Sequence, residues 1–284
     1  MKVSEMRGVS LVACLMLALT LVGCNKEDKK LARQLEQAAK KLAKEMERAT
    51  AQKQQGSVKT EPLVKGKKEV GHRDFDTAKQ VLPLVYKGLE EDIYCGCKYS
   101  GKSVNLKSCG YVPRKNAQRA SRLEWEHVVP AEHFGSQRQC WQNGGRKNCS
   151  GHDTLFDMME GDLNNLMPSV GEVNGDRSNM NYGVWTRTPE PVYGRCMSVP
   201  DFMTRRFQPR EEARGRLGRA SLYMHTRYAL SMSDQDRKLW CAWAKTYPVD
   251  TWERARDKQV IRFQGEGNPL VEDAARLAKV CGAA

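Results

Sequence analysis

A carboxylate and an imidazole stand side by side at Glu126 and His127, within the apolar stretch 123–131. A neutral imidazole suits the deprotonation of water, because its unperturbed pKa lies near working pH. A carboxylate together with an amide oxygen suits a hard cation such as Mg²⁺, which takes oxygen ligands and keeps several waters. Neighbouring strand residues point to opposite faces, so we expect the backbone to turn here, with Pro130 ending the strand. The pair alone does not define a function, and it is compatible with metal-assisted hydrolysis.

The chain is strongly basic, with a formal net charge of +13 over 284 residues. Such a charge favours polyanionic partners, namely nucleic acid, anionic lipid or acidic polysaccharide, and does not determine the fold. Runs of charged residues usually form solvated surfaces, so for each basic residue a solvated position and a phosphate contact are equally supported. The candidates for phosphate contacts are Arg114, Lys115, Arg119, Arg122, Arg177, Arg205, Arg206, Arg214, Arg216 and Arg219.

The N-terminus resembles a bacterial export signal. Lys2 and Arg7 precede an apolar run over 8–21, which is too short for a membrane-spanning helix. The run ends in Leu-Val-Gly-Cys at Cys24, which resembles a lipobox, although an ordinary signal peptide with a chance cysteine stays open. We therefore expect residues 1–24 to be a lipoprotein signal with Cys24 lipidated. Asn25 then favours the outer membrane, where the protein would face the periplasm or the exterior.

Cysteine usage agrees with export. Of ten cysteines, Cys14 leaves with the signal and Cys24 would carry lipid. An even number then remains, which favours disulfides in an oxidising compartment over a zinc site. We name only the pair Cys140 and Cys149, which bracket a short Gly-rich loop. The disulfide candidates are Cys95, Cys97, Cys109, Cys140, Cys149, Cys196, Cys241 and Cys281.

Three segments follow the signal in the predicted organisation. Apolar residues at spacings of three and four predict a charged helix over 25–55, interpreted as a stalk, with a weak coiled coil as the alternative. Residues 56–71 are basic and aperiodic, which is typical of a linker. We expect a folded α+β domain over 72–284, because short strands alternate with longer helices. Its predicted elements are helices over 75–86, 210–230 and 235–247, strands over 93–99, 102–106 and 123–129, a loop over 139–152 and a turn at 174–176.

Several ordered motifs make residues 75 to 281 resemble the bacterial endonuclease I family of periplasmic and secreted nucleases. Any one motif alone would be weak, and together they are specific. They are residues 94–97 (YCGC), 108–111 (SCGY), 124–131 (EWEHVVPA), 139–149 (QCWQNGGRKNC), 165–177 (NLMPSVGEVNGDR) and 265–269 (GEGNP).

The resemblance implies a disulfide-stapled α+β fold around a ββα-metal (His-Me) finger, with a role for each matching residue. His127 would be the general base, and Glu126 and Asn174 would bind a divalent cation, Mg²⁺ in the first place. Arg146 would hold the phosphate with its planar donor fork. The implied activity is a largely sequence-nonspecific endonuclease that leaves 5′-phosphorylated oligonucleotides. DNA is the expected substrate, RNA stays open, and we expect a monomer.

Each of these roles has a structural alternative. His127 could be a buried structural histidine, Asn174 a turn residue before Gly175, and Arg146 one more charge of its loop. We favour the catalytic roles because the motifs occur together.

Other polar residues carry weaker expectations. Glu160 and Glu172 could support the site, although surface or structural roles are favoured. His133 and His152 are taken as ordinary polar residues.

Two features depart from the family pattern: the lipobox with its stalk, and Arg254, which stands where some relatives carry a cysteine. The second leaves the pairing around Cys241 and Cys281 open.

The competing function is a non-catalytic lipoprotein that binds extracellular DNA or an anionic cell-wall polymer.

Overall fold

The computed structural model describes residues 26–55, 58–185 and 189–282. The predicted signal peptide and the lipidation residue Cys24 lie outside these residues. Within the described ranges, no helix has the length and apolarity needed to cross a membrane. The chain divides into two compact units with the boundary after Thr50, and each is considered by itself.

A single long helix, α1 (Lys26–Gln55), covers the predicted stalk. Its apolar stripe is solvent-exposed, since Leu35, Leu42 and Met46 keep 46%, 59% and 61% of their surface. The helix is therefore amphipathic as the periodicity indicated, whereas its role as a stalk stays a prediction.

The second unit mixes helices with short strands, which confirms the α+β class. Its helices are α2 (Phe75–Val85), α3 (Ala117–Ala120), α4 (Ala131–Gly135), α5 (Gln139–Gln142), α6 (Arg146–Cys149), α7 (Thr154–Glu160), α8 (Gly171–Arg177), α9 (Glu211–Arg227), α10 (Asp234–Thr246), α11 (Thr251–Gln264), α12 (Pro269–Glu272) and α13 (Ala274–Cys281). Its strands are β1 (Lys98–Ser100), β2 (Ser103–Asn105), β3 (Leu123–His127), β4 (Leu166–Val170), β5 (Asn181–Tyr182), β6 (Val199–Asp201) and β7 (Arg206–Gln208).

The centre of the unit is the antiparallel pair β3–β4, which runs directly into helix α8. The register pairs Leu123 with Val170 and His127 with Leu166. The strand is therefore regular through His127, and the expected turn of the backbone at Glu126 is wrong. The two neighbouring side chains leave opposite faces of the strand.

The turn predicted at residues 174–176 is also wrong, because these residues lie inside α8. A Cβ atom on Gly175 would lie 2.1 Å from the guanidinium of Arg119. The glycine after Asn174 therefore admits a packed arginine, and tertiary packing overrides the turn preference of the Asn-Gly pair.

The strand predicted over 93–99 shrinks to β1, which forms a hairpin with β2. The Asp92 carboxylate accepts the backbone N–H groups of Tyr94, Cys95 and Cys97 at 3.0, 3.0 and 2.7 Å. Those amides are thus taken by a side chain and do not join a ladder. The predicted loop 139–152 likewise contains two short helices, α5 and α6.

The main hydrophobic core lies beneath α9 and α10, which pack against each other. The residues assigned to the inner face of α9 from the sequence are confirmed as buried. They are Ala213, Leu217, Ala220, Met224 and Tyr228. Gly218 allows the close approach, because a Cβ atom there would lie 2.8 Å from the carbonyl oxygen of Trp240.

The described part of the predicted linker, residues 58–71, packs against the domain. The buried Arg73 guanidinium donates to the carbonyl oxygens of Gly71 and Phe263 at 2.7 and 2.6 Å. Val58 and Leu63 contact the cluster beneath α7. Because one arginine satisfies several loop carbonyls, the aperiodic sequence is held in place without regular structure.

Disulfides join the eight cysteines of the domain in four pairs, and the pair named from the sequence, Cys140 with Cys149, is among them. The pairs are Cys95–Cys196, Cys97–Cys109, Cys140–Cys149 and Cys241–Cys281. The last joins α10 to α13, which resolves the pairing that the sequence left open.

Candidate active site

A cavity of about 790 Å³ opens beside β3 and α8. Glu126, His127, Arg146 and Asn174 all line it, although the sequence separates them by up to about fifty positions. The structure thus brings together the four residues to which the sequence assigned chemistry. The remaining lining residues are Phe75, Lys79, Pro83, Gly101, Lys102, Arg119, Arg122, Leu123, Glu124, Trp125, Pro130, Arg177 and Ser178.

Glu126 is buried, with 2% of its surface exposed. Its Oε1 atom accepts hydrogen bonds from the Tyr94 hydroxyl at 2.6 Å and from Arg177 Nη1 at 2.8 Å. Burial raises the pKa of this carboxyl, although Arg177 and Tyr94 oppose the shift. Because both bonds use Oε1, the second oxygen, Oε2, is left for a ligand in the cavity.

Arg177 holds this part of the site together. Besides Glu126, it donates to the backbone oxygens of His127 and Val128 at 2.8 and 2.7 Å, and its guanidinium lies over the Tyr182 ring. Only 1% of its side chain is exposed. The interpretation of Arg177 as a phosphate contact is therefore corrected to an internal brace, since the side chain is buried and both terminal nitrogens already have partners.

His127 points to the other side of the strand. Its Nε2 atom lies 2.8 Å from the backbone oxygen of Glu160 and donates to it, since a carbonyl can only accept. A neutral imidazole has one N–H, so Nδ1 carries a lone pair. The pKa of His127 is lowered to about 3, chiefly by burial and also by Arg146 and Arg177, against the effect of the Glu160 bond. The ring of Phe75 packs 4.7 Å from the imidazole.

Asn174 lies on α8 and projects toward the cavity. Its Nδ2 atom donates to Glu124 Oε2 at 3.1 Å. The amide oxygen, Oδ1, is therefore the atom left for a cation. Glu124 belongs to the matched motif 124–131, for which no role of this residue was predicted, and in the structure it is part of the site.

Arg146 begins the short helix α6 inside the loop closed by Cys140–Cys149, whose cysteines are 9 positions apart. Its Nε atom donates to Glu160 Oε1 at 2.5 Å, while 48% of its side chain stays exposed. The terminal guanidinium nitrogens are thus held toward open space. The favoured surface interpretation of Glu160 is wrong, because this carboxylate is buried and contacts the site through both its side chain and its backbone.

Glu172 has the structural role that the sequence favoured. Its carboxylate accepts the backbone N–H groups of Arg114, Lys115 and Asn116 at 3.0, 2.8 and 2.6 Å. These bonds lower its pKa against the effect of burial. The Nε2 atom of His133 donates to the backbone oxygen of Asn179 at 2.9 Å, away from the cavity lining, and this residue is likewise structural.

The basic residues divide into two groups. Arg119 and Arg122 line the cavity, together with Lys79 and Lys102, which sequence reasoning missed. Others are bound elsewhere: Arg216 pairs with Asp250, Arg219 with Glu253 and Arg114 with Asp176. The lysines carry no local signal, because α2 and the β1–β2 hairpin reach the cavity only through tertiary folding.

The donor set in the cavity fits a hard cation. Among the described residues, Glu126 Oε2 and Asn174 Oδ1 have no hydrogen-bond partner, and Mg²⁺ takes such oxygen ligands together with several waters. Within the part of the chain that is described, no three His, Cys, Asp or Glu side chains converge as in a zinc-type site.

The chain is similar to one protein family and to several bacterial nucleases. The family model described as Endonuclease I matches residues 36–275. An extracellular deoxyribonuclease of Aeromonas hydrophila is 49% identical over 203 residues, which cover 70% of this chain and 87% of that protein. A periplasmic deoxyribonuclease of the same species is 48% identical, with coverage of 70% and 85%. Endonuclease-1 of Buchnera aphidicola from Acyrthosiphon pisum is 43% identical, with coverage of 70% and 80%.

Proposed function

Since this chain belongs to the endonuclease I family, we propose that it is an exported endonuclease that hydrolyses DNA phosphodiester bonds with the help of Mg²⁺. One observation carries the proposal: a base, a phosphate-binding arginine and two oxygen ligands line a single cavity. The wall of that cavity is basic, which suits a polyanionic substrate.

His127 is the general base in this mechanism. Its Nδ1 atom takes a proton from water, and the oxygen of that water attacks phosphorus. The bond from phosphorus to the 3′ oxygen breaks and this oxygen takes a proton from solvent, which leaves a 5′-phosphate on one product and a 3′-hydroxyl on the other. The bond from Nε2 to the Glu160 carbonyl keeps the ring in the tautomer that has Nδ1 unprotonated.

Arg146 binds the scissile phosphate. Its Nε atom is committed to Glu160, which holds the planar fork in one orientation and leaves the terminal nitrogens for phosphate oxygens. The charge that develops on phosphorus oxygens during attack is thereby stabilised by a donor already in place.

Glu126 and Asn174 are the residues that hold the cation. When bound, Mg²⁺ would polarise the phosphate and stabilise the leaving oxygen. The protein contributes a carboxylate fixed by Tyr94 and Arg177, and an amide fixed by Glu124.

A largely sequence-independent reaction follows from contacts with the phosphate backbone, which are made by Arg119, Arg122, Lys79 and Lys102.

The lipid anchor on Cys24 and the outer-membrane location belong to the same proposal, supported by the residues Leu21-Val22-Gly23 before that cysteine. Lipidation would hold the nuclease at the cell surface or in the periplasm, where DNA from outside arrives.

Plasmid digestion tests the function. Protein that begins at residue 25 is expected to convert supercoiled plasmid to nicked and fragmented DNA in Mg²⁺, and to lose this activity in EDTA. Excess Mg²⁺ added after EDTA serves as the control and restores cleavage. Cleavage that persists in EDTA would overturn the metal requirement.

Salt-sensitive binding without any cleavage in Mg²⁺ would instead favour the non-catalytic DNA-binding lipoprotein. Parallel digestion of single-stranded DNA and RNA determines the substrate range.

Reduction is expected to inactivate the enzyme, because Cys140–Cys149 closes the loop that carries Arg146. Replacing both of these cysteines with serine should lower activity even at a temperature where the protein stays folded. The matched control is the double serine variant of Cys241 and Cys281, which removes a bridge distant from the cavity lining and costs stability alone, about 2–5 kcal/mol. Full activity after prolonged dithiothreitol treatment, with every thiol titratable, would contradict the prediction.

A further inference from the structure

Glu124 occupies a position of its own in the cavity wall. It lies on β3 two residues before Glu126, so both side chains leave the same face of the strand. Glu126 is buried, whereas 18% of the Glu124 side chain is exposed. The charge of Glu124 also raises the pKa of Glu126, which agrees with their proximity.

The carboxylate of Glu124 is fully occupied by protein donors. Arg119 donates from Nε to Oε1 at 3.0 Å and from Nη2 to Oε2 at 2.8 Å. Arg122 donates to Oε1 from Nη2 and Nε at 2.5 and 3.2 Å. Asn174 Nδ2 completes Oε2 at 3.1 Å. Both oxygens therefore have at least two donors, which argues against Glu124 being a cation ligand itself.

The oxygens of Glu124 are the acceptors in all of these contacts, since guanidinium and amide N–H groups can only donate. An ionised carboxylate only accepts hydrogen bonds. The amide of Asn174 can thus meet Glu124 with its nitrogen and not with its oxygen.

The orientation of that amide matters for cation binding. A primary amide has an oxygen on one side and a positively polarised NH₂ group on the other. Turning the Asn174 side chain over would place its Oδ1 against Glu124 Oε2, two acceptors without a proton between them, and would point two N–H groups at a cation. The contact with Glu124 removes this alternative.

We infer that Glu124 is a positioning residue, which fixes the Asn174 amide with Oδ1 directed to the cation site. The inference rests on the proposed function, since it presupposes that Asn174 is a ligand. The two arginines have a part in it, because their hydrogen bonds hold the Glu124 carboxylate in place. Partners that orient metal ligands typically contribute 10- to 100-fold to metal affinity.

Binding of Mn²⁺ alone, measured by isothermal titration calorimetry without DNA, tests the inference. Glu124→Met keeps the volume of the side chain and removes both acceptors. We expect it to weaken Mn²⁺ binding by about 10- to 100-fold. Glu124→Gln retains one acceptor for Asn174 Nδ2 and should recover part of the affinity. Glu212→Met, at an exposed position in the first turn of α9, removes the same charge outside the cavity lining and should bind Mn²⁺ as the wild type does.

A second background separates orientation from a general effect on the fold. In Asn174→Asp both outer atoms of the side chain are oxygens, so no orientation has to be chosen. Adding Glu124→Met to this variant should therefore leave Mn²⁺ affinity unchanged or improved, because a neighbouring negative charge is removed. An equal loss in both backgrounds would overturn the inference, as would wild-type affinity in Glu124→Met alone.

The outcome also distinguishes this inference from the proposed function. If the wild type binds Mn²⁺ and Glu126→Ala abolishes binding, the cation site is supported. The Mn²⁺ affinity of Glu124→Met then tests the positioning role by itself. If the wild type binds no Mn²⁺ at this site, the proposed metal dependence and the inference both fail. Near-ultraviolet circular dichroism of each variant verifies that the fold is retained.

Discussion

Replacing His127 with alanine is expected to lower kcat on plasmid DNA by about 10²- to 10⁴-fold, the range that a general base contributes. The reason is that His127 Nδ1 carries a lone pair in the cavity, while burial keeps the pKa of the ring at about 3 and the imidazole neutral. Mn²⁺ affinity should stay within about threefold of wild type, because cation binding uses other residues. The measurement is the initial rate at saturating DNA and Mg²⁺.

The exposed His152 provides the control for this variant, since it is a histidine outside the cavity lining. His152→Ala should cleave plasmid at the wild-type rate. A similar loss of kcat in both variants would indicate a general effect of the substitution, and a His127→Ala rate within threefold of wild type would refute the assignment of the base.

Replacing Arg177 with methionine should have the largest effect on stability, about 3–5 kcal/mol of the free energy of unfolding. The change leaves Glu126 as a buried charge without its cationic partner and removes donors from the backbone oxygens of His127 and Val128. Urea unfolding with the disulfides intact, followed by tryptophan fluorescence, measures the loss. Arg122→Met is the matched control, because 57% of that side chain is exposed and a surface pair contributes at most about 1 kcal/mol.

A double variant separates the buried charge from the other contacts of Arg177. Adding Glu126→Gln removes the uncompensated carboxylate, so part of the lost stability should return while cleavage stays absent. Arg177→Met with wild-type stability would show that the pair does not brace the site. A double variant that is less stable than Arg177→Met by a further several kcal/mol would show that the lost free energy of unfolding does not come from the unpaired charge of Glu126.

The α+β class and the strongest helices could be predicted from the sequence, because periodic burial is a local property. The inner face of α9 shows this, since residues at spacings of three and four are buried as expected. The errors came where a side chain bonded backbone amides that were expected in a strand, or filled the space beside a residue that was expected in a turn. Asp92 captured the amides of a predicted strand, and Arg119 occupied the space beside Gly175 in a predicted turn.

The candidate site divides in the same way. The motif residues His127, Arg146 and Asn174 were identifiable because they lie in motifs that resemble the endonuclease I family. Glu160 and Glu124 were not, since a carboxylate that orients another group has the same local signature as one that lies on the surface.

By itself, the sequence determined which chemistries are available to this protein: an imidazole beside a carboxylate, a basic surface and an even set of cysteines after an export signal. These are properties of residue type and short spacing. The tertiary structure alone decided how they are used. It directed Glu126 to Arg177 on one face of the strand and His127 to the Glu160 carbonyl on the other, because neighbouring residues of a regular strand face opposite sides and meet partners from distant parts of the chain.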